Sequence, residues 1–323
     1  MTTLSLQTVD NRTVGRLALV TGSTCNVQRR DRVSMCQRAC HPGMRRGPAL
    51  LIQRAPQGRA NTLAEELRRL HPTQLFVTAR ADLASREETR ALVPGVLSQP
   101  AVAAKHAAIS ILIANAGIGR RIRDIKDIAE DDWDDMLEIN ARSQFVVTKA
   151  CLEGMRAQQW GRVILVGSVA SRGGGINGCH YAASKGAMTS MGLNLATVLA
   201  PEGVTVNIVS LQGDGGGKGR VLMAEMPGTT GHDWSHGHDS HAKINVSLSV
   251  CYGVMYSLLK HRSSWTSKTN MAELWQSDAG LAIAASVPVH RLGTPEEVAN
   301  IVSMFVKTGY MTGQQILVTG GLR

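Results

Sequence analysis

Short unbroken runs of apolar residues recur along the chain and are separated by longer stretches with helical periodicity. The runs cover residues 17–20, 49–52, 75–77, 109–113, 163–166, 204–209 and 316–318. Runs of this length without polar alternation are typical of strands that are buried on both faces of a parallel sheet. The pattern therefore predicts seven buried strands.

Two stretches between the predicted strands carry clear helix signals. Asn61 or Thr62 can cap a helix that places Leu63, Leu67 and Leu70 on one face. Near the end of the chain, Thr294 followed by Pro295 and two glutamates is a typical helix start. An apolar stripe follows it, made of Val298, Ile301, Val302, Phe305 and Val306. Strands that alternate with helices of crossover length predict an α/β fold with a doubly wound, Rossmann-like parallel sheet in a single domain, 1–323.

Two segments break this alternation. Residues 25–47 are rich in arginine and cysteine, and residues 214–280 hold a glycine run and half of the ten histidines. We expect both segments to be irregular. The histidines include His232, His236 and His238, but no cysteine pattern or regular helix accompanies them, so we expect no metal site.

The net charge of +10 is unevenly distributed. Seven arginines and one acid between Cys25 and Gly58 supply +6 of it, and the remaining chain lacks basic residues interleaved with aromatic ones. We therefore expect no nucleic-acid partner. No apolar run approaches the roughly 18 residues of a membrane span. We expect no membrane association and a cytoplasmic location.

Four polar elements follow the predicted strands in order. Asn115-Ala116-Gly117 comes after the fourth strand, Asn140 lies on the next helix, and Ser168 ends the fifth strand. Tyr181 and Lys185 follow, four residues apart at the start of a helix. Singly, each element is commonplace, since a tyrosine and lysine at this spacing are most often a solvated helix face. Their ordered combination, with 13 residues from Ser168 to Tyr181, is specific.

These motifs resemble those of the short-chain dehydrogenase/reductase family, in particular its single-domain type related to 3-oxoacyl carrier-protein reductases. The resemblance covers residues 16–24, 49–209 and 286–322, roughly two-thirds of the chain. Further matches are the run that begins at Arg291 and the closing segment 310–314. The resemblance implies reversible reduction of a carbonyl to a secondary alcohol by hydride transfer from a nicotinamide cofactor.

The resemblance also implies roles for individual residues. Tyr181 would be the general acid and base, and Lys185 would supply the positive charge that favours a phenolate and would bind the nicotinamide ribose. Ser168 would donate a hydrogen bond to the substrate oxygen. Asn140 would hold a water that relays protons to Lys185.

Cofactor contacts follow from the same matching. Thr21, Gly22 and Ser23 would begin the cofactor loop, and Asp82 with Leu83 would meet the adenine. Asn115, Ala116 and Gly117 would line the wall behind the cofactor, where glycine permits close backbone approach. Arg54 follows the second strand, where an arginine can meet a 2′-phosphate, so we expect NADP rather than NAD, which stays possible.

The chain departs from the family pattern in the two irregular segments. After Ser23 the family continues with further glycines that turn the chain toward the pyrophosphate, whereas this chain continues with Cys25 and Asn26. The alternative to an active reductase is therefore a family member that cannot bind the dinucleotide, either an interaction module or an aberrant gene product.

The resemblance gives the substrate and partners only by class. A small-molecule carbonyl or an acyl thioester with a 3-oxo group is the nearest analogy. By the same analogy we expect a homodimer or homotetramer, with the helices that carry Asn140 and Tyr181 at the interface.

Overall fold

A computed structural model describes most of the chain. The described residues are 10–22, 49–53, 71–119, 122–172, 177–211 and 295–321, with 61, 64, 65, 67–69, 285, 287–291 and 293. The two segments predicted to be irregular, 25–47 and 214–280, lie outside the described residues, as do Ser23 and Arg54.

Within these described residues, seven parallel strands form one sheet in the order β3-β2-β1-β4-β5-β6-β7. The strands are β1 (Leu17–Val20), β2 (Ala49–Gln53), β3 (Phe76–Ala79), β4 (Ile111–Ala114), β5 (Gly161–Ser168), β6 (Val204–Leu211) and β7 (Gln315–Val318). All seven predicted strands form; β1, β4, β5 and β6 are buried as predicted, whereas β7 is half-buried. Some strand ends differ from the predicted ones. Strand β4 begins at Ile111 rather than at Ile109, because Ile111 is the first residue in register with β1.

Helices connect the strands in the part of the chain that the structure describes. They are α1 (Arg86–Leu97), α2 (Pro100–Ala103), α3 (Glu130–Leu137), α4 (Ser143–Ala157), α5 (Cys179–Leu199) and α6 (Pro295–Lys307). A π-helical turn, Glu138–Arg142, joins α3 to α4, and a 3₁₀ turn, Val169–Arg172, follows β5. Residues 61, 64, 65 and 67–69 are also helical, which agrees with the helix predicted there.

The core consists of two apolar layers, one on each face of the sheet. Alternate residues of β1 enter different layers: Leu17 and Leu19 pack in one, and Ala18 and Val20 in the other. Helices α1, α4 and α5 cover the first layer, and α6 covers the second. Burial on both faces explains the unbroken apolar runs of β1 and β4. The doubly wound single-domain fold is confirmed.

The strand order reverses beside β1, which has β2 on one side and β4 on the other. In open sheets of this type, ligands bind at the carboxyl ends of the strands next to such a reversal. Thr21, Asn115 and Ser168 all lie at this edge, directly after or at the ends of β1, β4 and β5. Within the described residues, no helix is long and apolar enough to span a membrane.

Candidate active site

The ends of β1 and β4 are joined by side-chain hydrogen bonds. Thr21 Oγ1 accepts from the backbone N–H groups of Asn115 and Ala116, both at 3.0 Å. Asn115 Nδ2 donates back to the Thr21 carbonyl at 3.0 Å. Gly22 has a φ of +66°, and a Cβ there would lie 2.7 Å from Ala116 Cα. Glycine therefore permits the close approach of the two strand ends.

Asn140 lies in the π-helical turn between α3 and α4, and its side chain is fully buried. Its Oδ1 accepts from the Ile118 N–H at 2.7 Å. Its Nδ2 donates to the Ile118 carbonyl at 2.9 Å and to Ser184 Oγ at 3.0 Å. The amide thus links the segment after β4 to helix α5.

Gly117 leaves a space between two predicted site residues. A Cβ at this position would lie 3.0 Å from Asn140 Oδ1 and 3.3 Å from Lys185 Nζ. Both groups therefore border the same small volume. The structure brings together Gly117, Asn140 and Lys185, which lie far apart in the sequence.

Lys185 and Tyr181 lie one turn apart on α5, and both side chains are buried. The Lys185 ammonium donates to the Val166 carbonyl of β5 at 2.9 Å. Burial lowers the pKa of Lys185, and the nearby Tyr181 partly opposes that shift. The two side chains are therefore close enough to interact electrostatically.

Ser168 ends β5 and is buried. Its Oγ accepts from the backbone N–H of Ala170 at 3.2 Å. Ala170 and Tyr181 belong to one small apolar cluster, which also contains Ile118 and Ile139. The turn after Ser168 therefore packs beside the tyrosine.

Asp82 and Leu83 lie after β3 at the same edge of the sheet. Asp82 Oδ1 accepts from the Ala84 N–H at 3.0 Å, and the Asp82 N–H donates to Glu88 at 2.6 Å. Leu83 is buried in the core layer that α1 covers. This part of the predicted site is thus a turn whose shape is set by its own hydrogen bonds.

Three residues whose side chains stabilise the site were not predicted from the sequence. Ser184 accepts from Asn140 and donates to the Tyr181 carbonyl at 2.8 Å. Ser143 and Gln144 both donate to the Ile139 carbonyl, at 2.7 and 3.2 Å. A signal for Ser184 was present, because it directly precedes Lys185 in the motif.

The described residues contain no group of histidine, cysteine and acidic side chains that could hold a metal ion.

The described wall fits a nicotinamide dinucleotide. Gly117 presents no side chain to the surface beside Lys185, where a Cβ would crowd the ammonium at 3.3 Å, and Asn115 Oδ1 is buried without a hydrogen-bond partner in the described part of the chain. The strand order and this glycine-lined edge define a dinucleotide-binding α/β enzyme. The family model for short chain dehydrogenases matches residues 34–213. The protein belongs to the short-chain dehydrogenase family.

Curated relatives agree with this assignment. The chain is 26% identical to acetoacetyl-CoA reductase from Cupriavidus necator over 249 residues, 76% of this chain and 77% of the relative. It is 26% identical to a 3-oxoacyl-acyl-carrier-protein reductase from Salmonella typhimurium, over 68% of this chain and 69% of that one. A reductase of the same name from Aquifex aeolicus is 24% identical over 95% of this chain and 97% of its own.

Solved structures show the same fold. NAD⁺-bound xylitol dehydrogenase superposes with a TM-score of 0.66 at 21% identity, over 96% of this chain and all of that one. A gluconate 5-dehydrogenase from Burkholderia cenocepacia, in complex with NADP and tartrate, gives 0.66 at 21% over 97% of each chain. The protein is therefore an NAD(P)-dependent oxidoreductase that interconverts carbonyl and alcohol groups.

Proposed function

We propose that the protein reduces a 3-oxoacyl thioester, or a similar 3-oxo substrate, to the 3-hydroxy compound with NADPH. The observation that carries the proposal is that Asn140 and Lys185 both lie beside Gly117, and that Lys185 is one helical turn from Tyr181. The names of the curated relatives support a 3-oxo substrate.

When bound, NADPH supplies the hydride that adds to the carbonyl carbon, and a proton added to the oxygen completes the alcohol. We assign that proton to the Tyr181 hydroxyl. The phenolate left behind is stabilised by the Lys185 ammonium, whose position is fixed by its bond to the Val166 carbonyl. Burial strengthens this attraction because little water screens the two groups.

Ser168 would donate its hydroxyl proton to the substrate oxygen. Its Oγ already accepts from Ala170, so the oxygen is held while its proton stays available for the developing charge. Asn140 donates through Nδ2 to the Ile118 carbonyl and Ser184 Oγ, and the same nitrogen also contacts Met136 Sδ at 3.1 Å. Its Oδ1 keeps a second lone pair, with which it would accept from a water beside the Lys185 ammonium.

The first experiment is steady-state reduction of acetoacetyl-CoA by NADPH, followed by nicotinamide absorbance. We expect turnover, and a loss of about 10³-fold in kcat for Tyr181→Phe, because the variant keeps the ring but lacks the proton. Equal rates for wild type and variant would contradict the role of Tyr181. A folded wild type that binds neither NADPH nor NADH would instead establish the inactive alternative.

The preference for NADP rests on Arg54. An arginine can pair with the 2′-phosphate through two parallel hydrogen bonds, which leucine cannot make. We expect Arg54→Leu to raise the Kd for NADPH about tenfold and to leave the Kd for NADH unchanged. Isothermal titration with both cofactors measures this, and equal effects on the two would refute the preference.

We also propose that the protein is a homo-oligomer that pairs through α4 and α5. Phe145 on α4 is 48% exposed, and it lines a groove with Ala187 and Met191 of α5. Arg86 and Glu138, which form a salt bridge with each other, also line the groove, so this charged pair is neutral as a whole and does not oppose association with a second copy. We expect Phe145→Glu to yield monomers in light scattering, whereas Tyr310→Glu, at a 94% exposed position, leaves the mass unchanged.

A further inference from the structure

Gln315, the first residue of β7, reaches from the edge of the sheet to the turn that follows Ser168. Its Nε2 donates to Ser171 Oγ at 3.1 Å and to Ser210 Oγ at 2.9 Å. Its Oε1 accepts from Arg172 Nε at 3.4 Å. The side chain thus binds the 3₁₀ turn Val169–Arg172 at two residues and β6 at a third.

The direction of these hydrogen bonds is fixed by chemistry. An amide nitrogen can only donate, so both amide protons of Gln315 are used on the two serine oxygens. Ser171 then has its own hydroxyl proton free for donation, and it donates to the Ser168 carbonyl at 2.7 Å. A directed chain therefore runs from Gln315 through Ser171 to the backbone of Ser168.

Ser168 is held from two sides as a result. Its carbonyl accepts from Ser171, and its Oγ accepts from the Ala170 N–H within the same turn. Ser210, the other partner of Gln315, is fully buried and in register with Gly167, the residue before Ser168. Gln315 therefore fixes both the turn after Ser168 and the strand beside it.

We propose that Gln315 is a positioning residue, which acts through Ser171 to hold the Ser168 hydroxyl in its catalytic direction. The inference rests on the proposed function of Ser168. Sheet pairing alone does not require this side chain, because β7 pairs with β6 through backbone register from Ile208 to Leu211. A shift of a catalytic group by a fraction of an ångström lowers the rate substantially.

The test compares Gln315→Leu with Gln314→Leu. The two neighbours are the same residue type, but the Gln314 side chain is exposed and donates to the Thr312 carbonyl, two residues away. Hydrogen exchange read by mass spectrometry reports the turn without any cofactor or substrate. We expect the Ala170 amide to exchange about tenfold faster in Gln315→Leu and unchanged in Gln314→Leu, because two hydrogen bonds to the turn region are lost.

The kinetic part uses a double-mutant cycle with Ser168→Ala. We expect Gln315→Leu to lower kcat about tenfold at an unchanged KM for NADPH, and to have no further effect once Ser168 is alanine. Equal effects of Gln315→Leu in both backgrounds would mean a general structural role and would overturn the proposal. Unchanged Ala170 exchange would overturn it as well.

The two proposals fail in different ways. If the wild type is inactive but the Ala170 amide still exchanges faster in Gln315→Leu, the proposed reaction is refuted. The role of Gln315 in fixing the turn is then still supported. If wild type is active and Gln315→Leu matches it in kcat, the proposed function stands and the positioning role is refuted. Gln315→Glu keeps the length of the side chain but lacks the donor protons. If Gln315→Glu loses as much kcat as Gln315→Leu does, the role of Gln315 as a donor is supported further.

Discussion

At the scale of single residues, Lys185 shows a conflict between stability and chemistry. Its ammonium is buried, and it donates a hydrogen bond to the Val166 carbonyl, which is neutral. Burial lowers the pKa of the group, which means that the folded state holds the proton less tightly than the unfolded chain does. The proposed role of Lys185 beside Tyr181 therefore comes at a cost to stability.

We therefore expect Lys185→Met to abolish turnover and to raise the free energy of unfolding at neutral pH by about 1 kcal/mol. The wild type gains stability as the pH rises from the lowered pKa toward the ordinary lysine value of 10.5, because the unfolded state binds more protons in that window. The advantage of the variant should narrow over the same range. Denaturant unfolding at several pH values measures it, and an advantage that widens with pH would contradict the argument.

Gly117 gives a second test at this scale. In Gly117→Ala the new Cβ would press on Asn140 Oδ1 and Lys185 Nζ, so we expect kcat to fall about tenfold or more with little change in Tm. Gly95→Ala is the matched control, because nothing lies within 4 Å of a Cβ there and it sits in helix α1. That control should stabilise the protein by about 0.5–1 kcal/mol. A Gly117→Ala enzyme with wild-type kcat would be evidence against the site geometry.

At the scale of elements, the π-helical turn Glu138–Arg142 is the feature that directs Asn140 inward. Such turns rarely form without support from side chains or function. Here Ser143 and Gln144, both fully buried, donate to the Ile139 carbonyl within that turn. The first turn of α4 thus stabilises the irregular turn that precedes it.

Ser143→Ala removes one of these donors. We expect it to lower the free energy of unfolding by about 1 kcal/mol, the net worth of one hydrogen bond, and to reduce kcat because Asn140 loses its fixed position. Lys149→Ala, an exposed position on the same helix, should change neither. Urea unfolding and steady-state kinetics measure the two effects. A loss of stability without a loss of kcat would contradict the claim that the turn positions Asn140 for catalysis.

The sequence predicted the strands because they depend on a local pattern, the apolar runs. It singled out Tyr181 and Lys185 through the ordered combination of motifs that resembles the family, since their spacing alone is most often that of a solvated helix face. It did not predict the hydrogen bonds of Asn140 to Ile118 and Ser184, which lie 22 and 44 residues away. Those bonds depend on how elements pack. The hydrogen bonds of Gln315 to Ser210 and Ser171 span 105 and 144 residues of sequence, and they could not be predicted for the same reason.

At the scale of the whole molecule, Trp160 connects distant parts of the chain. Its ring lies between the guanidinium groups of Arg16 and Arg162, at 4.3 and 4.2 Å from the ring centroid. Its Nε1 donates to the Asp10 carbonyl at 2.6 Å. Arg162 is buried, which lowers its pKa to about 10, and it donates to the Val306 carbonyl at the end of α6. The segment before β1, strand β5 and helix α6 are thereby joined.

We expect Trp160→Leu to lower the free energy of unfolding by about 3 kcal/mol, because it removes buried aromatic area and two cation–π contacts. Trp133→Leu, at a residue that is 38% exposed, should lower it by less than about 1 kcal/mol. Chemical denaturation compares the two variants. Similar losses for both would show that the stacked arrangement contributes little.

The position of β7 in the sheet has a consequence for biosynthesis. β7 pairs with β6, yet about 100 residues separate the end of β6 at Leu211 from the start of β7 at Gln315. A ribosome that adds roughly 5–20 residues per second needs about 5–20 s to translate that stretch. Until then β6 can pair with β5 but lacks its native neighbour on the other side, and an unpaired strand edge invites association with other chains. The nascent polypeptide thus passes through a vulnerable interval in which chaperone binding to the β6 edge would protect its yield.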